Sequence, residues 1–247
     1  MKKTIALLLV AFMTVLHTTA QTADEIIDKH FAAIGGKAKL ASLKTMKFNA
    51  NIEIMPGQKA PVLMTMKDGN KMRFDLDLQG MKMTNAFDGT IGWMINPFGG
   101  KTEPERMPEE AVKELKKQAD FQGPLFDYQK KGSTVKFIGK EDMEGTEVYK
   151  LQLNEKDGDV TYYFIDAESH LLLKESQKVK IEDKETETST LMSNYKMVDG
   201  LLFPFTIESR SGSGDNSQGQ AINIEAIEIN IPVEDKIFMM PAPAEKK

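Results

Sequence analysis

The chain has 247 residues, no cysteine, a formal charge of -5 and 40% hydrophobic residues. That composition excludes a disulfide scaffold, a cysteine-ligated metal site and a Cys-His catalytic pair. An acidic balance without a basic cluster argues against nucleic acid or a polyanionic membrane surface as partner.

Residues 1–20 read as a secretory signal, with Lys2 and Lys3 at the start, an apolar run from Ile5 to Leu16, and small residues at Thr18-Thr19-Ala20. Removing it leaves 30 basic against 37 acidic residues, since 32 minus 2 is 30, and a charge of -7. With no cysteine behind the signal to carry lipid, the expected product is a soluble, unanchored, exported protein that works in the periplasm. Its 227 residues (247 minus 20) suit one large β domain, here placed at 21–240, with 241–247 as a disordered polar tail.

The domain should open with a helix, because Thr22-x-x-Glu25 is a capping box, Ile27, Phe31 and Ile34 share a face, and Gly35-Gly36 ends the run. Alternation then predicts strands at 43–54, 61–67, 71–78, 81–87 and 90–96. Met72, Phe74, Leu76 and Leu78 alternate with Lys71, Arg73, Asp75 and Asp77, which puts the apolar residues on one face and the charges on the other. After Pro97 the pattern changes. Pro108, acidic Glu109 and Glu110, and then Lys113, Lys116 and Lys117 make a helix polarised to suit its dipole, and a second short helix is expected after Pro124. Seven further strands are expected at 134–139, 146–154, 159–165, 171–177, 184–196, 201–210 and 221–231. Asp157-Gly158 and Asp199-Gly200 supply hairpin turns, and Ser209 to Gln220 a long loop.

Twelve hairpin-connected strands make the fold class mainly β: a single antiparallel sheet, wide enough that it must curl, with helices over its concave face. Eight methionines fall in the first strand group, Met64, Met66, Met72 and Met83 among them. Unbranched thioethers suit either a plain core or a surface that fits flexible apolar ligands. Trp93 is the sole tryptophan and shares these two readings.

Several motifs carry a likeness to a known family. They are Met72-Arg73-Phe74; Phe87-Asp88-Gly89-Thr90-x-x-Trp93-x-x-Asn96-Pro97 followed by a helical insertion; Gly139-Lys140-Glu141; Tyr163-Phe164-Ile165-Asp166; and Asp199-Gly200-Leu201-Leu202-Phe203-Pro204-Phe205. In that order the chain resembles the outer membrane lipoprotein carriers, LolA and LolB. The resemblance implies a half-open β-barrel lidded by helices, and a carrier that binds acyl chains of lipoproteins or lipids for delivery to the outer membrane. It implies as partners an acylated lipoprotein or other lipid with a transient inner-membrane donor or outer-membrane acceptor, a monomer, and neither cofactor nor enzymatic activity. It also implies that Arg73 latches the lid. The methionine-rich apolar face itself makes Met64, Met66, Met72, Phe74, Met83 and Trp93 the expected lining of an apolar, lipid-binding cavity, some through the sheet face and some at its rim. The alternative on the same fold is a non-transporting periplasmic interaction or scaffold module. Enzyme signatures are weak: Asp166, Ser169 and His170 have triad chemistry but fall in one hairpin turn, where Asp and Ser serve the turn itself.

Overall fold

The computed structural model describes residues 21–55, 57–181, 184–212 and 218–242. The expected signal, the tip of the Ser209–Gln220 loop and the last five residues of the expected tail lie outside them.

Helices α1 (Ala23–Ala33) and α2 (Lys37–Ala41) precede β1 (Thr45–Met55), β2 (Gln58–Lys67), β3 (Lys71–Leu78), β4 (Met81–Phe87), β5 (Gly92–Asn96) and β6 (Lys101–Arg106). Helix α3 (Glu109–Gln118) follows. The chain continues through β7 (Thr134–Met143), β8 (Thr146–Asn154), β9 (Val160–Asp166), β10 (Leu172–Ile181), β11 (Lys184–Val198), β12 (Leu201–Ser211) and β13 (Gln218–Ile229). All thirteen strands form one sheet in the order β6-β5-β4-β3-β2-β1-β13-β12-β11-β10-β9-β8-β7. Each arm is a hairpin meander, and the antiparallel β1–β13 pairing, with Met46 opposite Ile229 and Phe48 opposite Ile227, joins them. Strands β6 and β7 are the two edges, so the barrel is not closed.

Strand β6 was not foreseen, because Lys-Thr-Glu-Pro-Glu-Arg contains no apolar alternation. Its charges and Pro104 are what an edge needs to discourage further pairing. The expected helix after Pro124 is absent; residues 124–132 form turns. The loop is shorter than expected because β12 runs to Ser211 and β13 begins at Gln218.

Curvature follows from how α3 sits. Val112 and Leu115 lie over β5, where a Cβ on Gly92 would come 2.8 Å from Val112 Cγ2. Lys113 and Lys117 reach the β8–β9 turn, at 2.7 Å to Asp157 and 2.6 Å to Asp159. One ten-residue helix, about 15 Å long, thus touches both arms, which requires the sheet to curl around it. Helix α1 keeps the expected capping box, buries Ile26, Ile27 and Phe31, and its Ile34 carbonyl accepts from Leu202 N–H at 2.9 Å. Gly35 makes this docking possible: at φ +114 its would-be Cβ lies 2.4 Å from the Gly200 carbonyl oxygen. Gly35→Ala is expected to cost about 1–3 kcal/mol from backbone strain plus the clash, read as a lowered thermal midpoint.

The face away from the helices has its own cover. Residues 233–238 run across β2, β3 and β5 as a strap: Lys67 Nζ donates to Val233 O at 2.8 Å, Lys71 pairs with Asp235 at 2.7 Å, and Phe238 is wholly buried.

Candidate functional site

Register assigns each side chain to a face. Met46, Met66, Met72 and Phe87 are cross-strand neighbours in one row, and Phe48, Met64 and Phe74 in the next. Both rows join the cluster that contains Ile27 and Phe31 of α1 and Leu115 of α3, so they occupy the helix-covered face. Thr65, Arg73, Ala86 and Trp93 form the intervening row. By the two-residue period they face the other way.

An apolar cavity lies on the opposite arm from Met64, Met66, Met72 and Met83. A chamber of about 210 Å³ opens between α1, residues 120–125 and β9–β12, walled chiefly by Phe31, Ile34, Leu125, Met192, Leu201 and Phe203. Phe31 is braced edge-on by Phe126, with ring centroids 5.6 Å apart. A second chamber of about 270 Å³ adjoins it and is lined by polar side chains, among them Thr161, Ser176, Thr188 and Thr190. Glu175, Tyr163 and Pro124 line both chambers. Glu175 is brought inward by an irregularity in β10 between Leu172 and Lys174, which shifts the alternation and sets Glu175 opposite Tyr163.

The electrostatics differ along this path. Burial pushes the Glu175 carboxyl up to about 7, because the charged form loses its hydration there. Burial also lowers the His30 imidazole, which is therefore neutral at pH 7; its Nδ1 lies 2.9 Å from the His170 carbonyl, so that nitrogen carries the proton. At the rim, burial opposes the charge on Lys117, but hydrogen bonds to Asp159 and Glu155 hold its pKa well above the usual lysine value. The hydrogen bond from Lys113 draws Asp157 down to about 2. These rim pairs are partly exposed, and such pairs contribute little each. The apolar anchorage of α3 is therefore to β5, and its hold on the far arm is mainly ionic.

The expected site residues separate into three places. Met66 and Met72 are buried core, at 4% and 2% exposure, beneath the helices. Met64, Phe74 and Met83 are half-buried on the same face. Trp93 does not line a cavity there: it points to the opposite face, is fully buried, and its indole N–H donates to the Phe238 carbonyl at 2.7 Å. Arg73 likewise does not reach the helical lid. It donates to the Ile237 carbonyl at 2.9 Å and forms a two-pronged pair with Asp75 on the face away from the helices. Parity decides both corrections, since Arg73 and Trp93 alternate with the residues that meet the helices.

The chamber's walls are not legible in the sequence because they come from seven separated segments whose apolar residues look like ordinary core. Glu175 has no sequence signal either, since plain alternation from the inward-facing Leu172 would turn it to the other side. Asp166 Oδ1 accepts from Glu168 N–H and Ser169 N–H, so the residue serves its turn. Among the described residues no group of three potential ligands is arranged to hold a metal ion, and no helix is long and apolar enough to cross a membrane.

No family model matches the sequence, and no curated protein matches it. Solved structures do resemble the fold. A LolA superfamily protein from Nitrosomonas europaea aligns with a TM-score of 0.59 at 13% identity, over 89% of this chain and 98% of that one. A DUF1329 family protein from Desulfovibrio piger gives 0.58 at 13% identity over the same shares. An outer membrane lipoprotein-sorting protein domain from Vibrio parahaemolyticus gives 0.54 at 15% identity, over 87% of this chain and 94% of that one. The chain has the LolA-like fold, an open curved sheet with few helices.

Proposed function

We propose that this chain is an exported, periplasmic carrier that binds acyl chains of lipoproteins or lipids beneath its helices and delivers them to the outer membrane. It works without a cofactor, as a monomer, through transient contact with a membrane-bound donor or acceptor. The observation that carries this reading is the apolar chamber between α1, residues 120–125 and β9–β12. Hiding hydrocarbon from water is worth about 0.8 kcal/mol per methylene, so a diffusible carrier needs such a compartment. At about 210 Å³ the chamber is smaller than the roughly 300 Å³ at which pockets for ordinary small ligands begin. Loading a long chain therefore requires α1 or residues 120–125 to move outward, with the ionic contacts of α3 the weaker attachment.

The test is mass spectrometry of lipids retained by protein purified from the periplasm of a Gram-negative expression host. A co-purifying acyl lipid is expected, and Met192→Asp at the half-buried chamber wall should lower its retention about tenfold, equivalent to roughly 1.4 kcal/mol. The filled methionine region beneath the helices favours the second reading, a scaffold without cargo. Protein that retains no lipid and takes up no added acyl chain would leave that reading in place.

A further inference from the structure

Glu175 stands at the junction of the two chambers, and among the described residues nothing donates a hydrogen bond to its carboxyl group. Its side chain is surrounded by protein, and its remaining exposed surface looks into the chambers. Glu175 is half-buried and its oxygens are not sealed from the chambers, so the donor they need can come from outside the chain. Neighbouring side chains do not meet that need. Tyr195 on β11 donates its hydroxyl to the Leu172 carbonyl at 2.6 Å. Lys117 on α3 is held by Asp159 at 2.6 Å and Glu155 at 3.0 Å. Asp120 is paired with Lys131, and Lys174 on the far side of β10 lies over the Phe164 ring. The polar chamber thus contains Glu114, Glu155 and Glu175 against the single, already engaged cation Lys117. Its charge is complementary to a cation, and it adjoins an apolar chamber.

We propose that the two chambers together bind an amphiphile with a primary ammonium head, the hydrocarbon entering between α1 and β9–β12 and the ammonium donating to Glu175. This rests on the acyl-binding reading and adds the class of head group to it. Thr188 and Thr190 beside Glu175 offer acceptors for the remaining ammonium protons. A cation favours the ionised carboxylate, and burial has moved Glu175 up to about 7. Binding therefore releases a proton near neutral pH and weakens on acidification. The other titratable groups facing Glu175 are Tyr163 and Tyr195, both raised by burial, His30 across the apolar chamber, and the paired Lys117, Glu155 and Asp120, with Glu114 at the rim.

Calorimetric titration of the purified protein with dodecylamine, dodecanol and dodecanoate, at pH 8 and pH 6, tests this. Dodecylamine is expected to bind about tenfold more tightly than dodecanol at pH 8, the order of one charge-assisted hydrogen bond. Its affinity should fall about tenfold between pH 8 and pH 6, as the ionised fraction of a group near 7 does. Both effects should vanish in Glu175→Gln, with Trp93 emission confirming that the variant is folded. Equal binding of dodecanol and dodecylamine at pH 8, preference for dodecanoate, or a pH dependence that survives in Glu175→Gln and so belongs to His30, would overturn the head-group assignment while leaving acyl binding intact. Binding of none of the three would remove the acyl-carrier reading itself.

Discussion

Arg73→Leu is expected to destabilise the protein by about 3–5 kcal/mol, the range for breaking a buried ion pair by removing one partner. Asp75 is only 7% exposed, and its carboxylate accepts from Arg73 Nε at 2.9 Å, Arg73 Nη2 at 3.0 Å and Thr84 Oγ1 at 2.7 Å. Without the guanidinium, a buried charge retains one hydroxyl donor, and the Ile237 carbonyl loses its partner as well. Adding Asp75→Asn should recover part of the loss by removing the stranded charge. The measurement is the urea midpoint at unchanged slope. Trp93 is the sole tryptophan and lies against the strap, so its emission shows whether residues 233–238 lift before the sheet unfolds. Because the strap lies on the face away from the chambers, lipid retention normalised to folded protein should match wild type. A loss of retention at equal stability would return Arg73 to the role of lid latch.

Glu175→Gln is expected to stabilise the protein above pH 7 and to do little below pH 4.5. The sign follows from a folded-state pKa of about 7 against the ordinary 4.5. The folded chain holds this proton more tightly than the unfolded one, so stability is full below about 4.5 and falls as pH rises to 7. A difference of roughly 2.5 units at 1.36 kcal/mol each makes the loss about 3 kcal/mol. Urea midpoints of wild type and variant between pH 4 and 8.5 should coincide at the acid end and diverge by about that amount at the basic end. The rim carboxylates act in the opposite sense: Asp157, held near 2 by Lys113, stabilises the fold at neutral pH and loses this contribution only on strong acidification. Since they are common to both proteins, the difference between the two curves isolates Glu175. Parallel curves would mean that Glu175 ionises as an exposed carboxylate does and that the chamber is wetter than its walls suggest.

Local pattern was enough to determine most of the framework. Capping residues Thr22 and Glu25 placed α1, the charge order of residues 109–117 placed α3, and alternation found twelve of the thirteen strands, because each of these signals is written within a few consecutive residues. The same alternation separated Arg73 from Met72 and Phe74. It could not say what covers the charged side, since the strap comes from residues some 160 positions away and carries no periodicity of its own. That is why Trp93, apolar and on a strand, reads from sequence as cavity lining although its indole N–H donates to the Phe238 carbonyl. Strand β6 escaped because an edge strand rich in charge has no apolar face to betray it. The chamber was decided by tertiary structure alone: Phe31, Leu125, Met192 and Leu201 converge only when β13 pairs with β1 and the sheet curls. Glu175 faces that chamber only because an irregularity in β10 reverses its side, and a one-residue shift of this kind changes the face of a side chain without leaving a mark in composition.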